Sequence, residues 1–514
     1  MKLLIHIIKY NPNKDPKPKY VSYTIDVDPK ETLLDVLIKI QEDYDPTLVF
    51  NYSCRRGVCG SCTILVNGIP VIACQTLIEN VVKTFGNEIF IEPLQSFRNV
   101  RDIAVDSSRI WSLLRMSRPW IHRYSPYIAP EYMQSEDAKI IQQFKKCISC
   151  LACLEICPVY RIANTRFRSP YVFRLHYRFC ADPRDKQDRV SISVNDGLYL
   201  CLTCGACNSV CPQEIDIESA VLKLREHAYN QGLVPVRLMD SLDSIKDNSY
   251  SNPLWIPRDE RGKWIQNLSP CNTAEILLYA GCMASYVDLE SIQALAKILE
   301  SISIKYVALA EDEYCCGMPL YLAGDIKGLR IQAEKNVKSI LSKKPKIIIT
   351  PCPSCYRMFI QIYPSILGID LQKYGIRVLH SSQFLYELIT KKYIEINRSL
   401  SISATYHDPC DLGRHLKIFD KPREVLKIIG IRIVEMKKNR IYAQCCGAGG
   451  NLRITDPVLS IKLGMMRLTH IPKGINTVVH TCPTCKIQFI DASKEAGLEI
   501  HNVSLQELVL KAMG

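Results

Sequence analysis

Cysteines at regular spacings constrain this 514-residue chain more than any other feature, since all but two of its 24 cysteines fall into five sets. In a reducing compartment so many thiols indicate metal or redox chemistry rather than disulfides. No apolar run is long enough to span a bilayer, and the start, "MKLLIHIIKY", is too short for a signal sequence and reads as a strand. We therefore expect a cytoplasmic chain without a transmembrane segment.

The formal net charge of +13 bears on the possible partners. Iron–sulfur clusters held by thiolates are anionic, so much of the basic excess is explained as their counter-charge. A solvated basic surface is the alternative explanation. The sequence has no concentrated Lys/Arg run with interleaved aromatic residues, which is the pattern typical of nucleic-acid binding. We therefore expect no nucleic-acid partner.

The first cysteine set lies in a predicted α+β domain, residues 1–105. The segments "KLLIHIIKY" and "YVSYTIDV" alternate as paired strands do, and "TLLDVLIKIQEDY" has helical spacing. The loop "CRRGVCGSC" and a later cysteine give C-x4-C-x2-C spacing with a distant fourth ligand. This spacing is typical of plant-type [2Fe–2S] sites and not of zinc knuckles. The predicted ligands are Cys54, Cys59, Cys62 and Cys74.

The second and third sets share the run C-x2-C-x2-C-x3-C-P and lie in a predicted helical domain, residues 106–235. The runs are "CISCLACLEICP" and "CLTCGACNSVCP". In bacterial ferredoxins with this spacing, the last cysteine of each run binds the other cluster. One predicted [4Fe–4S] ligand set is therefore Cys147, Cys150, Cys153 and Cys211. The other is Cys201, Cys204, Cys207 and Cys157, and zinc is a disfavoured alternative in both.

After a predicted linker, residues 236–270, the chain repeats itself. Five cysteines of a predicted domain 271–395 return at a nearly constant offset in a predicted domain 396–514, which is hard to obtain by chance. Each repeat holds a Cys-Cys-Gly motif, "YCCGMPL" or "QCCGAGG", and a later Cys-Pro-x-Cys. The two sets are Cys282, Cys315, Cys316, Cys352 and Cys355, and then Cys410, Cys445, Cys446, Cys482 and Cys485.

The two repeats also share one coarse order of elements. Predicted strands "AEILLYAG" and "KIIIT" in the first repeat, and "ISATYH" and "NTVVH" in the second, alternate with helices. This alternation favours a parallel α/β sheet in each repeat, with the cysteines at the carboxyl ends of strands. Gly317 and Gly447 follow the cysteine pairs and permit the backbone turn that brings both thiols to one metal centre.

Several residues near these sets have two interpretations. His407 and His415 flank Cys410 and are either ligands or proton donors, or else structural histidines. Cys180 and Cys271 fall outside every set and are expected to be ordinary buried or partly buried thiols. Four cations near the repeated cysteines either bind sulfonate, phosphate or carboxylate groups of a substrate or are helix-surface charges: Arg357, Arg414, Arg453 and Lys486.

Residues 1 to about 235 resemble the iron–sulfur subunits of succinate dehydrogenase and fumarate reductase. The resemblance rests on "TLLDVLIKIQEDYDPTLVF", the [2Fe–2S] loop and "YRFCADPRD". It implies a β-grasp [2Fe–2S] ferredoxin domain, an α-helical [4Fe–4S] ferredoxin domain, and a flavoprotein partner with FAD that docks on the [2Fe–2S] domain. Two departures weaken a quinone site at the usual place. The family usually has a non-cysteine residue at the position of Cys204, which leaves a [3Fe–4S] cluster there. It also usually has a tryptophan at the position of Ile162.

Residues 271–514 resemble the Cys-Cys-Gly domains of heterodisulfide reductase catalytic subunits. The resemblance implies a duplicated α/β domain in which all ten repeated cysteines are catalytic metal ligands. Such domains hold non-cubane [4Fe–4S] clusters that make or break a disulfide, although some repeats in this superfamily bind zinc instead. The implied cofactors are one [2Fe–2S] cluster, two [4Fe–4S] cubanes and two non-cubane [4Fe–4S] clusters, with zinc an alternative in one repeat.

The fusion of these two halves resembles the thiol:fumarate reductase family of methanogens. The resemblance implies that coenzyme M and coenzyme B are oxidised to their mixed disulfide. Their electrons would pass through the clusters to a flavoprotein subunit that reduces fumarate to succinate. The chain has no flavin or dinucleotide glycine fingerprint, so we expect the fumarate chemistry on the partner of a hetero-complex.

Three alternatives remain at this point. The first is a succinate:quinone oxidoreductase subunit whose Cys-Cys-Gly half replaces the usual membrane anchor. The second is a 2-hydroxy-acid oxidase subunit, which leaves the [2Fe–2S] domain unexplained. The third is an electron carrier with zinc-stabilised C-terminal domains, against which the complete five-cysteine sets in both repeats argue.

Overall fold

The computed structural model describes residues 1–124 and 129–514. These residues form two compact units. The first unit holds residues 1–198 and 206–224, and the second holds residues 199–205 and 225–514. The division falls inside the second [4Fe–4S] run, so the cysteines of that run are shared between the units. Among the helices of the described ranges, none is long and apolar enough to cross a membrane.

A five-stranded sheet forms the core of the first unit. The strands of this unit are β1 (Lys2–Lys9), β2 (Lys19–Asp26), β3 (Thr63–Val66), β4 (Ile69–Ile72), β5 (Glu88–Glu92), β6 (Arg98–Arg101) and β7 (Ala104–Asp106). The sheet order is β2-β1-β5-β3-β4, in which only β1 and β5 pair in parallel, while β6 and β7 form a separate hairpin. Leu3, Ile5 and Ile7 are buried because alternate side chains of a strand point to one face.

Helices complete the first unit and include the one predicted beside the sheet. Thr32 caps this helix, Leu33–Asp43, by accepting a hydrogen bond from the backbone N–H of Asp35, whose carboxylate in turn accepts one from the Thr32 N–H. The predicted strands and helix of this region are therefore confirmed. The other α-helices of the unit are Ile78–Phe85, Arg109–Ser117, Ser135–Lys145, Ala152–Glu155, Pro158–Ala163, Pro170–Cys180, Arg189–Asn195 and Ala206–Ser209.

Two four-stranded parallel sheets organise the second unit. Their strands are β8 (Ile276–Leu278), β9 (Tyr306–Ala308), β10 (Ile347–Thr350) and β11 (Arg377–His380), and then β12 (Ser403–Tyr406), β13 (Arg432–Ile433), β14 (Thr477–His480) and β15 (His501–Ser504). The orders are β9-β8-β10-β11 and β13-β12-β14-β15, so the first strand of each sheet lies between the second and the third. All pairs are parallel, which confirms the predicted sheets.

Helices surround both sheets of the second unit, and one hydrophobic core joins the sheets. Ile349 and Leu379 from one sheet and Ala404 and Val479 from the other belong to this core. Helix Ile217–Asn230 begins in the first unit and ends in the second. The α-helices that follow are Val236–Lys246, Gly281–Tyr286, Leu289–Ser301, Met318–Ala323, Ile326–Ser342, Pro353–Arg357, Ser381–Thr390, Asp420–Ile428, Leu452–Thr455, Pro457–Leu468, Pro483–Glu495 and Leu505–Met513.

Short helical segments of other types connect these elements. Two π-helical segments are Met358–Leu367 and Asp411–His415. The 3₁₀-helices are Ala73–Gln75, Leu198–Leu200, Arg258–Ile265, Ala310–Asp312, Leu371–Tyr374 and Arg440–Tyr442.

The segment predicted as a linker, residues 236–270, is folded. Helix Val236–Lys246 buries an apolar face, and the 3₁₀-helix Arg258–Ile265 buries Arg261 and Trp264. Some of its polar residues, such as Ser251, Asn252 and Arg261, are buried, whereas others, such as Asp247 and Asn248, are exposed. The domain boundaries themselves stay predictions.

Candidate metal centres

The loop that precedes β3 and the 3₁₀-helix Ala73–Gln75 bring the four cysteines of the predicted [2Fe–2S] set together. Cys54 contacts Cys59, and Cys62 contacts Cys74. The backbone N–H groups of Arg56 and Val58 donate to Cys54 Sγ, both at 3.4 Å. With the contact from Cys59, these bonds lower the pKa of the Cys54 thiol to about 6.

Burial has the opposite effect on the inner side of the same site. It raises the pKa of the Cys62 thiol to about 12. The N–H of Gly57 donates to Cys74 Sγ at 3.2 Å, so a backbone donor reaches this inner pair as well. Sulfurs that are grouped and met by backbone N–H groups are what a [2Fe–2S] cluster requires of its ligands.

The first predicted [4Fe–4S] set also converges, and its cysteines come from both runs. Cys147, Cys150, Cys153 and Cys211 line one cavity of about 20 Å³, beside Tyr171 and Arg174. Burial raises the pKa of Cys150 to about 12 and that of Cys153 well above its usual range, and neighbouring thiols add to both shifts. Thiols in such a setting stay protonated unless a cation replaces the proton, so the site fits a metal cluster.

The first two sites touch each other. Gly60, in the [2Fe–2S] loop, has φ +69°, and a Cβ at this position would lie 2.6 Å from the Cα of Cys150. Only glycine lets the two backbones approach this closely. The loop of the predicted [2Fe–2S] site is therefore in direct contact with a predicted ligand of the first [4Fe–4S] site.

The second predicted [4Fe–4S] set is distributed over both units. Cys157 and Cys207 lie in the first unit, and Cys201 and Cys204 lie in the second. This ligand set stays a prediction.

The five cysteines of the first Cys-Cys-Gly set form one chain of contacts. The order is Cys282, Cys315, Cys316, Cys355 and Cys352, each side chain neighbouring the next. The neighbouring thiols of Cys315 and Cys355 lower the pKa of the Cys316 thiol to about 6. Gly281, the first residue of helix Gly281–Tyr286, lies so close that a Cβ there would be 2.8 Å from Cys355 Sγ.

A buried ion pair contacts this first set, and sequence reasoning missed it. Arg261 Nη2 donates to Cys282 Sγ at 3.3 Å, and its Nε donates to Glu313 at 3.2 Å. Glu313 also accepts from the N–H groups of Ala280 and Gly281, at 2.8 and 2.9 Å. Both charged side chains are essentially inaccessible. A guanidinium beside Cys282 stabilises negative charge on the sulfur, which suits a thiolate ligand.

The second Cys-Cys-Gly set repeats the same chain of contacts. The order is Cys410, Cys445, Cys446, Cys485 and Cys482. The sulfurs of Cys446 and Cys485 are 3.4 Å apart. The neighbouring side chains of Cys445, Cys485 and His407 hold the pKa of the Cys446 thiol well below its usual range.

Residues of the second [4Fe–4S] run meet this second set inside the second unit. Cys204 contacts Cys445 through its side chain. Arg414 Nε donates to the Cys204 carbonyl at 2.6 Å, and another nitrogen of the same guanidinium donates to Ala443 O. Gly450 approaches the segment so closely that a Cβ there would be 2.1 Å from Cys201 O.

One cavity of about 360 Å³ opens between the two Cys-Cys-Gly sets. Nine of the ten repeated cysteines line it, and the exception is Cys445. Most of its remaining wall is apolar, with Met283, Met318, Leu322 and Ile454 among the lining residues. A cavity of this size that presents sulfur from both sets can admit small sulfur compounds.

Three family models match the chain. The model described as "2Fe-2S iron-sulfur cluster binding domain" matches residues 4–112, and the "4Fe-4S dicluster domain" matches residues 143–215. The "Cysteine-rich domain" matches twice, at 276–360 and 404–490. The chain is therefore a mixed α/β protein with ferredoxin-type [2Fe–2S] and [4Fe–4S] domains and Cys-Cys-Gly repeats, and its cofactors are iron–sulfur clusters.

Curated relatives decide the family. The "Fumarate reductase iron-sulfur subunit" of Mycobacterium tuberculosis is 30% identical over 244 residues, which are 46% of this chain and 97% of that protein. The chain belongs to the fumarate reductase iron–sulfur subunit family. This iron–sulfur subunit is longer than that relative, and its additional length carries the Cys-Cys-Gly repeats.

Two methanogen proteins match the longer architecture. A subunit of the CoM/CoB fumarate reductase of Methanothermobacter marburgensis is 29% identical over 509 residues, 98% of each chain. A subunit of the dihydromethanophenazine:CoB–CoM heterodisulfide reductase of Methanosarcina acetivorans is 28% identical over 395 residues, 73% of this chain and 95% of that one. The predicted resemblance to both classes is confirmed, and this iron–sulfur subunit is part of an oxidoreductase.

The four cations predicted near the repeats of this iron–sulfur subunit all have protein partners. Arg357 pairs with Asp411 at 3.0 Å, and Lys486 pairs with Asp288 and Glu507 at 2.8 and 2.7 Å. These two cations and Arg414 are buried, so the interpretation as helix-surface charges is wrong for them. Arg453 is about one-third exposed and pairs with Asp491. Arg357 and Arg453 line the 360 Å³ cavity, whereas Arg414 and Lys486 do not.

The remaining residues singled out in the sequence lie in different settings. His407 lies beside Cys446 and Cys485, with one nitrogen and the two sulfurs within 4.8 Å of one another. His415 is close to Asp411, and burial lowers its pKa to about 3. Cys180 and Cys271 are partly buried, as expected, and they belong to none of the cysteine chains described above.

Proposed function

We propose that this iron–sulfur subunit oxidises two thiols, coenzyme M and coenzyme B, to their heterodisulfide and sends the electrons to a flavoprotein that reduces fumarate. Two thiols give one disulfide, two protons and two electrons, and fumarate takes up two protons and two electrons to become succinate. The single observation that carries the proposal is the 360 Å³ cavity onto which cysteines of both Cys-Cys-Gly sets open. Disulfide formation joins two sulfurs, so a cavity with a metal-binding set on either side suits it.

The ligand sets that we propose are those of the sequence analysis. The cofactors would be one [2Fe–2S] cluster, two [4Fe–4S] cubanes and two non-cubane [4Fe–4S] clusters in the ten repeated cysteines. Convergence of the sulfurs in four of the five sets, with N–H or guanidinium donors in the [2Fe–2S] set and the first Cys-Cys-Gly set, supports this assignment. Zinc in one repeat is the competing occupant, and a count of iron and zinc atoms per chain distinguishes the two.

The same proposal includes the finer architecture. We assign the first sheet to a β-grasp domain, because its mixed order β2-β1-β5-β3-β4 packs against helix Leu33–Asp43. We assign the two parallel sheets to a duplicated domain, because they share both a strand order and an order of cysteine contacts. The proposed boundaries are 1–105, 106–235, 271–395 and 396–514.

The walls of the cavity suggest how this chain binds and orients thiols. Arg357 and Arg453 lie on its lining, so each can attract an anionic tail such as a sulfonate or a phosphate. The apolar lining residues exclude water from the sulfurs and strengthen the attraction between charges. Iron–sulfur clusters, when bound, supply the electron acceptors of the oxidation. The chain itself aligns the two thiols with the cysteine sets.

Contacts between ligand residues suggest the route by which electrons leave. Cys445 of the second Cys-Cys-Gly set contacts Cys204 of the second [4Fe–4S] run. At the other end, Gly60 of the [2Fe–2S] loop contacts Cys150 of the first [4Fe–4S] set. We propose that electrons enter the ferredoxin clusters at Cys204 and leave from the [2Fe–2S] domain. A flavoprotein with FAD docks there to complete a heterodimer in the reducing cytosol.

The test uses the chain purified anaerobically together with its flavoprotein. Fumarate, coenzyme M and coenzyme B are supplied, and the loss of free thiol is followed against the succinate formed. We expect two thiols to be lost for each succinate. If no thiol is lost while a quinol supports fumarate reduction, the proposal is wrong and the Cys-Cys-Gly half is a quinone or membrane adaptor.

A further inference from the structure

A histidine distinguishes the second Cys-Cys-Gly set from the first. His407 stands three residues before Cys410, and Tyr279 stands three residues before Cys282. Both side chains are buried. The Tyr279 hydroxyl donates to the carbonyl of Tyr314 at 2.6 Å, so its polar atom already has a backbone acceptor. In the second set, His407 Nε2 has no backbone acceptor of this kind.

The His407 ring is held beside sulfur. One ring nitrogen lies within 4.8 Å of the sulfurs of Cys446 and Cys485. Phe489 packs against the ring with 4.8 Å between centroids. The backbone N–H of His407 donates to Val479 O at 3.1 Å, which fixes the residue at the end of its strand. The ring therefore has little freedom to turn away from the cysteines.

Arg467 determines which ring nitrogen of His407 carries the hydrogen. Its Nε donates to His407 Nδ1 at 3.4 Å, and a guanidinium has no lone pair with which to accept a bond in return. Nδ1 is therefore the bare nitrogen of the neutral ring, and Nε2 carries the hydrogen. Nε2 is buried and makes no hydrogen bond within the described residues, and the sulfurs of Cys446 and Cys485 lie within 4.8 Å of a ring nitrogen. Sulfur is the acceptor that remains to it.

We propose that His407 is a positioning residue that donates a hydrogen bond from Nε2 to the sulfur of Cys446, with its tautomer set by Arg467. The inference rests on the proposed iron–sulfur occupancy of the second set. A hydrogen bond to a ligand sulfur stabilises its negative charge and so makes the cluster easier to reduce. The first set receives its donor at a different place, from Arg261 to Cys282.

The same geometry argues against His407 as a metal ligand. Ligation through Nε2 requires the lone pair on Nε2 and the hydrogen on Nδ1. That hydrogen would then face the N–H of Arg467, whose side chain is itself held by a bond to Lys438 O at 2.8 Å. Two donors facing each other in a buried site are unfavourable.

The test uses the complete complex with the flavoprotein, prepared with ¹⁵N-labelled histidine and measured by electron–nuclear double resonance on the paramagnetic second centre. We expect a weakly coupled histidine nitrogen. His407→Leu should abolish that coupling and shift the midpoint potential of the same centre to a more negative value. His407→Gln keeps an N–H donor and should recover most of the shift, and Arg467→Met should give a smaller negative shift than His407→Leu. Tyr279→Phe is the matched control and should leave the nitrogen coupling and this potential unchanged.

Three results would overturn the inference alone. A strongly coupled nitrogen would show that His407 is a ligand. The absence of any coupling in the native complex would show that the proposed hydrogen bond does not exist. An unchanged potential in His407→Leu with full iron content would make the residue merely structural. If His407→Leu fails to load iron, the labelled native complex decides alone. Absence of iron from the native second set would overturn the cofactor proposal as well, so the iron count separates the two failures.

Discussion

The two Cys-Cys-Gly sets have the same cysteines in the same order of contacts, but the residues around them differ. Arg261 and Glu313, a buried ion pair, contact the first set, and Arg261 comes from a segment outside the repeats. The second set meets His407 and, through Cys445, the run that contains Cys204. Sulfur arrangement alone therefore does not distinguish the two centres. Their neighbours do, and the contact between Cys445 and Cys204 is the one on which the proposed exit of electrons from the second set rests.

The largest effect is expected from removing a ligand of either set, which tests whether both sets are needed. Cys316→Ser and Cys446→Ser should each lower the rate of thiol oxidation by at least about 100-fold. Loss of a residue that only supports a metal ligand costs up to about 100-fold, and loss of a ligand should cost at least as much. Fumarate reduction driven by a reduced viologen should continue in both variants, because that donor bypasses the cavity. Cys271→Ser, outside every set, is the control. Retained thiol oxidation in Cys316→Ser alone would mean that the first set is not catalytic.

The next effect concerns the ion pair that only the first set has. Arg261→Gln leaves Glu313 buried without its cation, and breaking such a pair costs about 3–5 kcal/mol. We expect a lower urea midpoint for unfolding of the chain and loss of iron from the first set only. Arg258→Gln is the neighbouring control, since its ion pair with the exposed Asp312 is 4.0 Å long and contributes at most about 1 kcal/mol. Equal losses in the two variants would show that the burial of Arg261 is not what matters.

These residues also show where sequence reasoning succeeded and where it failed. The cysteine sets could be predicted because a cluster needs its ligands at short, regular spacings, and the strands could be predicted because they are short apolar runs. Arg261 and Glu313 are 52 positions apart, and no local pattern links them. Lys486 was interpreted either as a substrate-binding cation or as a helix-surface charge, and neither interpretation is supported. It pairs instead with Asp288, which lies 198 positions away in the sequence. Charges near a motif cannot be interpreted until the fold supplies their partners.

A smaller difference is expected at the glycines that follow the two cysteine pairs. Gly317 and Gly447 have φ values of +83° and +103°, so alanine at either position costs about 1–2 kcal/mol in backbone strain. A Cβ at 317 would be 2.6 Å from the flexible end of Leu329, whereas one at 447 would be 2.5 Å from the backbone oxygen of Ser460. Gly447→Ala should therefore lower the urea midpoint more than Gly317→Ala. The reverse order would show that the surroundings of the second pair are the more adaptable.

The smallest effect is expected at the cation that lies on the cavity lining near the second set. Arg453 is about one-third exposed and already paired with Asp491, so it can contribute only about 1 kcal/mol to the binding of an anionic thiol. Arg453→Gln should therefore raise the KM for one of the two coenzymes by up to about fivefold and leave kcat unchanged. Arg377→Gln removes an ion pair, with Glu387, whose arginine is more exposed and does not line the cavity, and it should change neither constant. If KM rises equally for both coenzymes, Arg453 contributes to the electrostatic potential of the whole cavity rather than binding one thiol. Arg453 would then not discriminate between the two coenzymes.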